Sequence, residues 1–111
     1  MKKEEIEREK NEWIERLKKD GKITDVERLR KSGLFAIQNP VRRKIIEFMG
    51  KSEPVVTINK ISKDLNLDKN QVKFHLSMLE TALFVEKKDE EIYTLTPRGV
   101  AYIANADWEI Y

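Results

Sequence analysis

No cysteine occurs in the 111 residues. That excludes disulfides, thiolate nucleophiles and cysteine-based metal sites, and it suits a reducing, cytoplasmic setting. Histidine is limited to His75, and one imidazole is too little to hold zinc. No glycine-rich phosphate loop and no cluster of carboxylates joins it. A nucleophile, a base and an orienting group therefore cannot be assembled, and the chain reads as a non-enzyme without a cofactor. No apolar run approaches the ~20 residues of a membrane span, and no signal-peptide pattern is present. The charge lacks a dominant sign as well. Lys plus Arg number 22 and Asp plus Glu 20, a net of +2, so any basic footprint has to be local.

What the chain does have is charge and helical periodicity. Charged residues make up 38% and apolar residues 40%, enough for the modest core of one small domain. Residues 1–22 read as an N-terminal amphipathic arm. Ile6, Lys10, Trp13 and Leu17 share one face of a helix over residues 3–20, widened by Ile14. Glu4 with Arg8, Glu12 with Arg16 and Glu15 with Lys19 stand at i,i+4, pairs worth ~0.2–0.5 kcal/mol each. So narrow a stripe has to pack on the rest of the domain or on a second copy.

Residues 23–111 read as the domain itself. Thr24 and Glu27 form a capping box for a helix carrying Val26, Leu29, Gly33, Ala36 and Ile37, in which Gly33 costs ~1 kcal/mol. Asn39 and Pro40 open a core helix with Val41, Ile45, Phe48 and Met49, ending at Gly50. Val55 and Val56 make a very short strand. Thr57 caps a helix with Ile58, Ile61 and Leu65, Asn66-Leu67 is a turn, and Asp68 with Gln71 caps the next helix. There Val72, Leu76, Leu79 and Leu83 form the buried stripe. At ~100° per residue the opposite face shows Asn70, Phe74, Ser77 and Thr81, flanked by Gln71, Lys73, His75 and Met78. Residues 85–88 and 91–95 read as paired strands around Asp89-Glu90. Thr96 and Pro97 start a last helix in which Val100, Ile103, Ala104, Trp108 and Tyr111 keep helical spacing. The order is a helix-turn-helix followed by a wing, mainly α with a small β element.

Residues 34–104 resemble the winged-helix domain of the ArsR-type regulators, archaeal relatives above all. LFAIQNPVRRKII is similar to that family's helical entry, TINKISKDLNLDKNQVKFHLSMLE to its helix-turn-helix and YTLTPRG to its wing exit. The resemblance implies a homodimeric regulator of double-stranded DNA, with recognition helices in successive major grooves and a seam between the first and last helices. It puts Asn70, Gln71, Lys73, Phe74, His75 and Ser77 at DNA, Arg42 and Arg43 near the backbone, and Lys87 and Lys88 on the wing. Lys69, on the exposed face, joins this set as a phosphate or guanine contact. The seam would take Ile6, Trp13, Leu17, Val26, Leu29, Ile103 and Trp108.

Three departures stand out. Leu83 occupies a place where the family often has glycine. The wing tip, Asp89-Glu90-Glu91, is acidic. Without cysteine, thiolate sensing of metals is excluded. Several residues keep two readings: Arg42 and Arg43 contact phosphate or pair internally, as with Glu47; Phe74 meets a loop or a thymine methyl; His75 donates to phosphate or packs at the helix edge. Two other functions fit the pattern, a winged helix used for protein contact and a non-specific architectural DNA binder. The second would want an excess of positive charge that is missing.

Overall fold

The structure is a computed structural model and describes residues 2–52 and 54–110. Tyr111, expected at the end of the terminal stripe, lies outside the described residues. The elements run α1 (Lys3–Lys19), α2 (Val26–Ile37), α3 (Pro40–Lys51), β1 (Val55–Thr57), α4 (Ile58–Leu65), α5 (Lys69–Thr81), β2 (Val85–Asp89), β3 (Ile92–Leu95) and α6 (Pro97–Ile103). The strands form one antiparallel sheet in the order β1-β3-β2. Val56 pairs with Tyr93, and Val85 with Leu95. This is a mostly helical winged helix-turn-helix fold, as the spacing predicts.

The main core lies where α3, α4 and α5 converge above the sheet. Ile45, Ile46, Ile61, Val72, Leu76, Leu79 and Phe84 are fully enclosed there. Capping chemistry sets most boundaries. Asn39 accepts from the amides of Val41 and Arg42, Thr57 from Lys60 and Thr96 from Gly99. α2 starts one residue later than expected. Asp25, not Thr24, is its cap and accepts from the Arg28 amide at 3.0 Å. Gly33 does not break α2. It faces the Arg98 guanidinium so closely that a Cβ there would lie 2.4 Å from Nη2.

The N-terminal arm is folded onto its own chain. Ile6 packs with Ala101 and Ala106, and Ile14 with Ile23 and Ile110. Trp13, Leu17, Val26 and Leu29 border that second cluster, while Ile103 and Trp108 pack against the main core. Each residue read as part of a dimer seam thus has partners within its own chain, and all but Ile6 stay partly exposed. The ion pairs seen along α1 are Arg8–Glu12 at 4.0 Å and Lys18–Glu15 at 3.4 Å, in place of the three i,i+4 pairs expected.

The terminal helix also departs from its spacing. α6 stops at Ile103, and Asn105 takes a left-handed φ of 55°. Beyond it Ala106 and Ile110 are buried, with Trp108 half-buried between them. No regular element follows α6 among the described residues. Two enclosed cations hold this tail. Lys10 Nζ donates to the Glu109 carbonyl at 2.6 Å, and Arg98 Nε donates to the Trp108 carbonyl at 3.1 Å. The helix itself is closed at Asn105, beyond which the Ala106 amide donates back to the Ala101 carbonyl at 2.9 Å.

Candidate nucleic-acid interface

The candidate site is the outer face of α5. The turn before it is closed locally. Asn66 adopts φ 53°, the Leu67 amide donates to the Ser62 carbonyl at 3.0 Å, and Ser62 Oγ donates to the Leu67 carbonyl at 2.6 Å. Leu67 packs on the core from this turn. Asp68 Oδ1 accepts from the Asn70 amide at 3.1 Å, and Gln71 Oε1 accepts from the Asp68 amide at 3.3 Å. This reciprocal capping box occupies the Gln71 carbonyl and leaves its NH2 group as a donor.

Val72, Leu76 and Leu79 are fully buried. They fix the rotation of α5, and the opposite face is solvent-exposed at Lys69, Asn70, Gln71, Lys73, Ser77 and Thr81. Phe74 stands in the middle of that face, 58% exposed. So open a ring has little of its surface on a neighbouring loop. Its edge meets the His75 ring with centroids 5.3 Å apart. Leu83 is not a fourth member of the buried stripe. The helix ends at Thr81, and Leu83 sits at φ 62°, the conformation that glycine adopts most readily. The chain makes the turn regardless, and the Leu83 side chain packs into the cluster of Ile14, Ile23 and Ile110.

Two expected surface residues are inside. Arg42 is 5% exposed and His75 9%, so neither side chain is offered to phosphate. Arg42 Nε donates to the Ala36 carbonyl at 2.8 Å, and its Nη1 lies 3.2 Å from His75 Nδ1. A guanidinium can only donate, so Nδ1 is the acceptor and the imidazole proton is assigned to Nε2. Burial, then the Arg42 charge, holds the His75 pKa below the ordinary histidine value. Arg43 is half-buried and donates from Nη1 to the carbonyls of Ile37 at 2.7 Å and Gln38 at 3.0 Å. The two arginines thus satisfy the orphan carbonyls at the end of α2, whose last turn has no basic residue of its own. No ion pair from either of them to Glu47 forms among the described residues.

On the wing, Lys87 and Lys88 are exposed on β2, where the ladder is irregular between Lys87 and Asp89. Lys88 Nζ lies 3.6 Å from the Glu86 carboxylate. The tip residues Asp89, Glu90 and Glu91 are all exposed. No group of three or more His, Cys, Asp or Glu able to hold a metal occurs among the described residues. No helix among them is long and apolar enough to cross a membrane.

Two further cations, Lys10 and Arg98, are fully buried. Lys10 stood on the apolar face of α1 in the sequence and could have been found from that placement. Arg98 follows a helix-starting proline and carries no periodic signal. Its guanidinium sits 4.6 Å from the Phe84 ring centroid and 5.3 Å from that of Trp108, and Nη1 donates to the Ala82 carbonyl at 2.6 Å. Burial pushes its pKa down to about 10, against the pull of Glu109. It therefore stays charged at neutral pH.

No family model matches the chain, and no curated protein sequence matches it either. Among solved structures it is similar to reduced HlyU from Vibrio cholerae N16961, with 22% identity and a TM-score of 0.58. The match covers 71% of this chain and 85% of that one. At this identity the likeness is one of fold: both chains are winged helices.

Proposed function

We propose that the protein is a sequence-specific double-stranded-DNA-binding transcriptional regulator of the ArsR type, cytoplasmic, non-enzymatic and acting as a homodimer. The observation that carries this reading is the outward face of α5. A helix whose Val72, Leu76 and Leu79 are fully buried while Lys69, Asn70, Lys73, Phe74 and Ser77 face solvent is a helix held out for a groove. Residues 69–81 enter the major groove, Lys69 and Lys73 meet phosphate or a guanine edge, and Asn70 brackets an adenine. Gln71, bound into the capping box, ranks below Asn70. Phe74 supplies apolar contact to a thymine methyl. Lys87 and Lys88 approach the backbone. Dimer symmetry would set two half-sites ~10 bp or a multiple apart.

Titration of fragments from the protein's own upstream region across salt concentrations tests the reading. Specific binding with a salt slope is expected. Lys73→Ala should weaken binding to every sequence, and Asn70→Ala should relax preference at one base. Unchanged titrations for both variants would remove α5 from the interface. Equilibrium sedimentation tests the homodimer, and a monomer at all concentrations would sink it.

The acidic wing tip and the +2 net charge favour a second reading, a winged helix used for protein contact. Absence of binding to any fragment at low salt would select it.

A further inference from the structure

A cleft of about 270 Å³ opens between the α1–α2 connection, the start of α2 and the far end of α5. Its apolar wall is Ile23, Leu29 and Leu83, and Lys22 and Arg28 stand at its polar side with Asp25. Neither Lys22 nor Arg28 makes a salt bridge among the described residues. One oxygen of the Asp25 carboxylate caps its own helix, where it accepts from the Arg28 amide. Lys22 and Arg28 against Asp25 leave the charged lining with a net of +1, above a hydrocarbon wall.

Leu83 ties this cleft to α5. A leucine at φ 62° is strained by about 1 kcal/mol relative to glycine, yet here it forms part of a cavity wall. Its amide donates to the Glu80 carbonyl in α5, and its carbonyl accepts from the Thr96 hydroxyl that caps α6. Thr81, also in the lining, continues the exposed stripe of Asn70, Phe74 and Ser77. Anything seated against Leu83 thus presses on the joint that ends α5.

We propose that this cleft is an effector site for a small organic anion, a carboxylate on a compact apolar body of benzoate size. Arg28 and Lys22 take the carboxylate, and Ile23, Leu29 and Leu83 take the body. Occupancy is transmitted to α5 through Leu83. The regulatory consequence rests on the DNA reading above, whereas the binding itself does not.

The test is an amide NMR titration of the full chain with sodium benzoate, benzyl alcohol and benzylammonium chloride at fixed ionic strength. Saturable shifts at Arg28, Thr81 and Leu83 are expected with benzoate, extending along α5 to Ser77 and Phe74. Benzylammonium should give none. Arg28→Gln, a surface change, should weaken benzoate by about tenfold, the worth of one charge-assisted hydrogen bond. Lys22→Gln should weaken it too. Equal responses to the three compounds, failure to saturate, or indifference to Arg28→Gln would overturn the site. If Arg28→Gln weakens DNA while benzoate does not bind, the cleft belongs to the DNA footprint and the proposal falls. Benzoate binding with no shift along α5 and no change in DNA affinity would overturn the effector role. If benzoate binds and shifts α5 while no DNA fragment is bound, the cleft stands and the DNA reading fails.

Discussion

Arg98 is the bulkiest fully enclosed side chain among the described residues, and its surroundings are built for a planar cation. Phe84 and Trp108 lie against the guanidinium, and the Ala82 and Trp108 carbonyls accept from it. Its Nη2 has no hydrogen-bond partner, so the arrangement is held by stacking and two carbonyls rather than by a complete donor set. Arg98→Ala should lower unfolding stability by about 3 kcal/mol or more, since a cavity opens and two buried acceptors are orphaned. Urea denaturation measures it. Gly33→Ala is the sharper experiment. Helix propensity alone favours alanine by ~1 kcal/mol. The new methyl would nevertheless lie 2.4 Å from Nη2 of a residue with no room to retreat. A net loss of stability is therefore expected, and a gain would show that Arg98 can shift.

At the scale of the element, α5 depends on its cap and on its tie to α3. Asp68→Ala removes the acceptor for the Asn70 amide and should cost about 1 kcal/mol, read as a shift in the urea midpoint. The tie runs through His75 and Arg42. The folded His75 pKa is depressed below 6.5, first by burial and then by Arg42. The unfolded chain therefore takes up this proton first as pH falls. The stability contribution is fully present above the unfolded value and is lost as pH drops through it toward the folded one. Urea midpoints taken from about pH 7.5 to about pH 5 should fall more steeply for the native chain than for His75→Gln, which cannot be protonated. Parallel slopes would mean that His75 carries no pH sensitivity. Because α5 holds the outward face, the same protonation should loosen the proposed DNA contact.

Across the whole molecule, the two ends of the chain brace each other. Lys10 and Arg98 reach the carbonyls of Glu109 and Trp108, and the Glu7 carboxylate accepts from the Asp107 amide at 3.0 Å. Burial lowers the Lys10 pKa, with Asp107 and Glu7 acting against that shift. Removing residues 105–111 would leave two buried cations without these acceptors. The shortened chain should melt well below the full one, and limited proteolysis should cut within α1. If α1 stays protected, the tail is not what holds it. The inward packing of α1 also bears on the proposed homodimer. Among the described residues the exposed large apolar side chains are Leu34, Phe35, Val55, Phe74 and Val100, and a seam between copies that drew on these would leave the arm in place.

Much of this architecture was legible in the order of residues. Caps, the αL asparagine at position 66 and the 4-then-3 spacing of Val72, Leu76 and Leu79 are local signals, readable because each acts within a turn or two of its own helix. They determine the helix-turn-helix, the wing and which face of α5 looks outward. Position in space decided the rest. His75 and Arg42 look like surface residues until a second helix buries them. Ala104 and Trp108 keep a helical spacing, but the helix stops at Ile103, and Arg98 and the distant Lys10 hold the carbonyls of the segment beyond it. Leu83 takes a glycine's conformation because α1 and α2 place apolar partners around its side chain. Burial depends on what lies across from a residue, and only the folded chain brings those partners together.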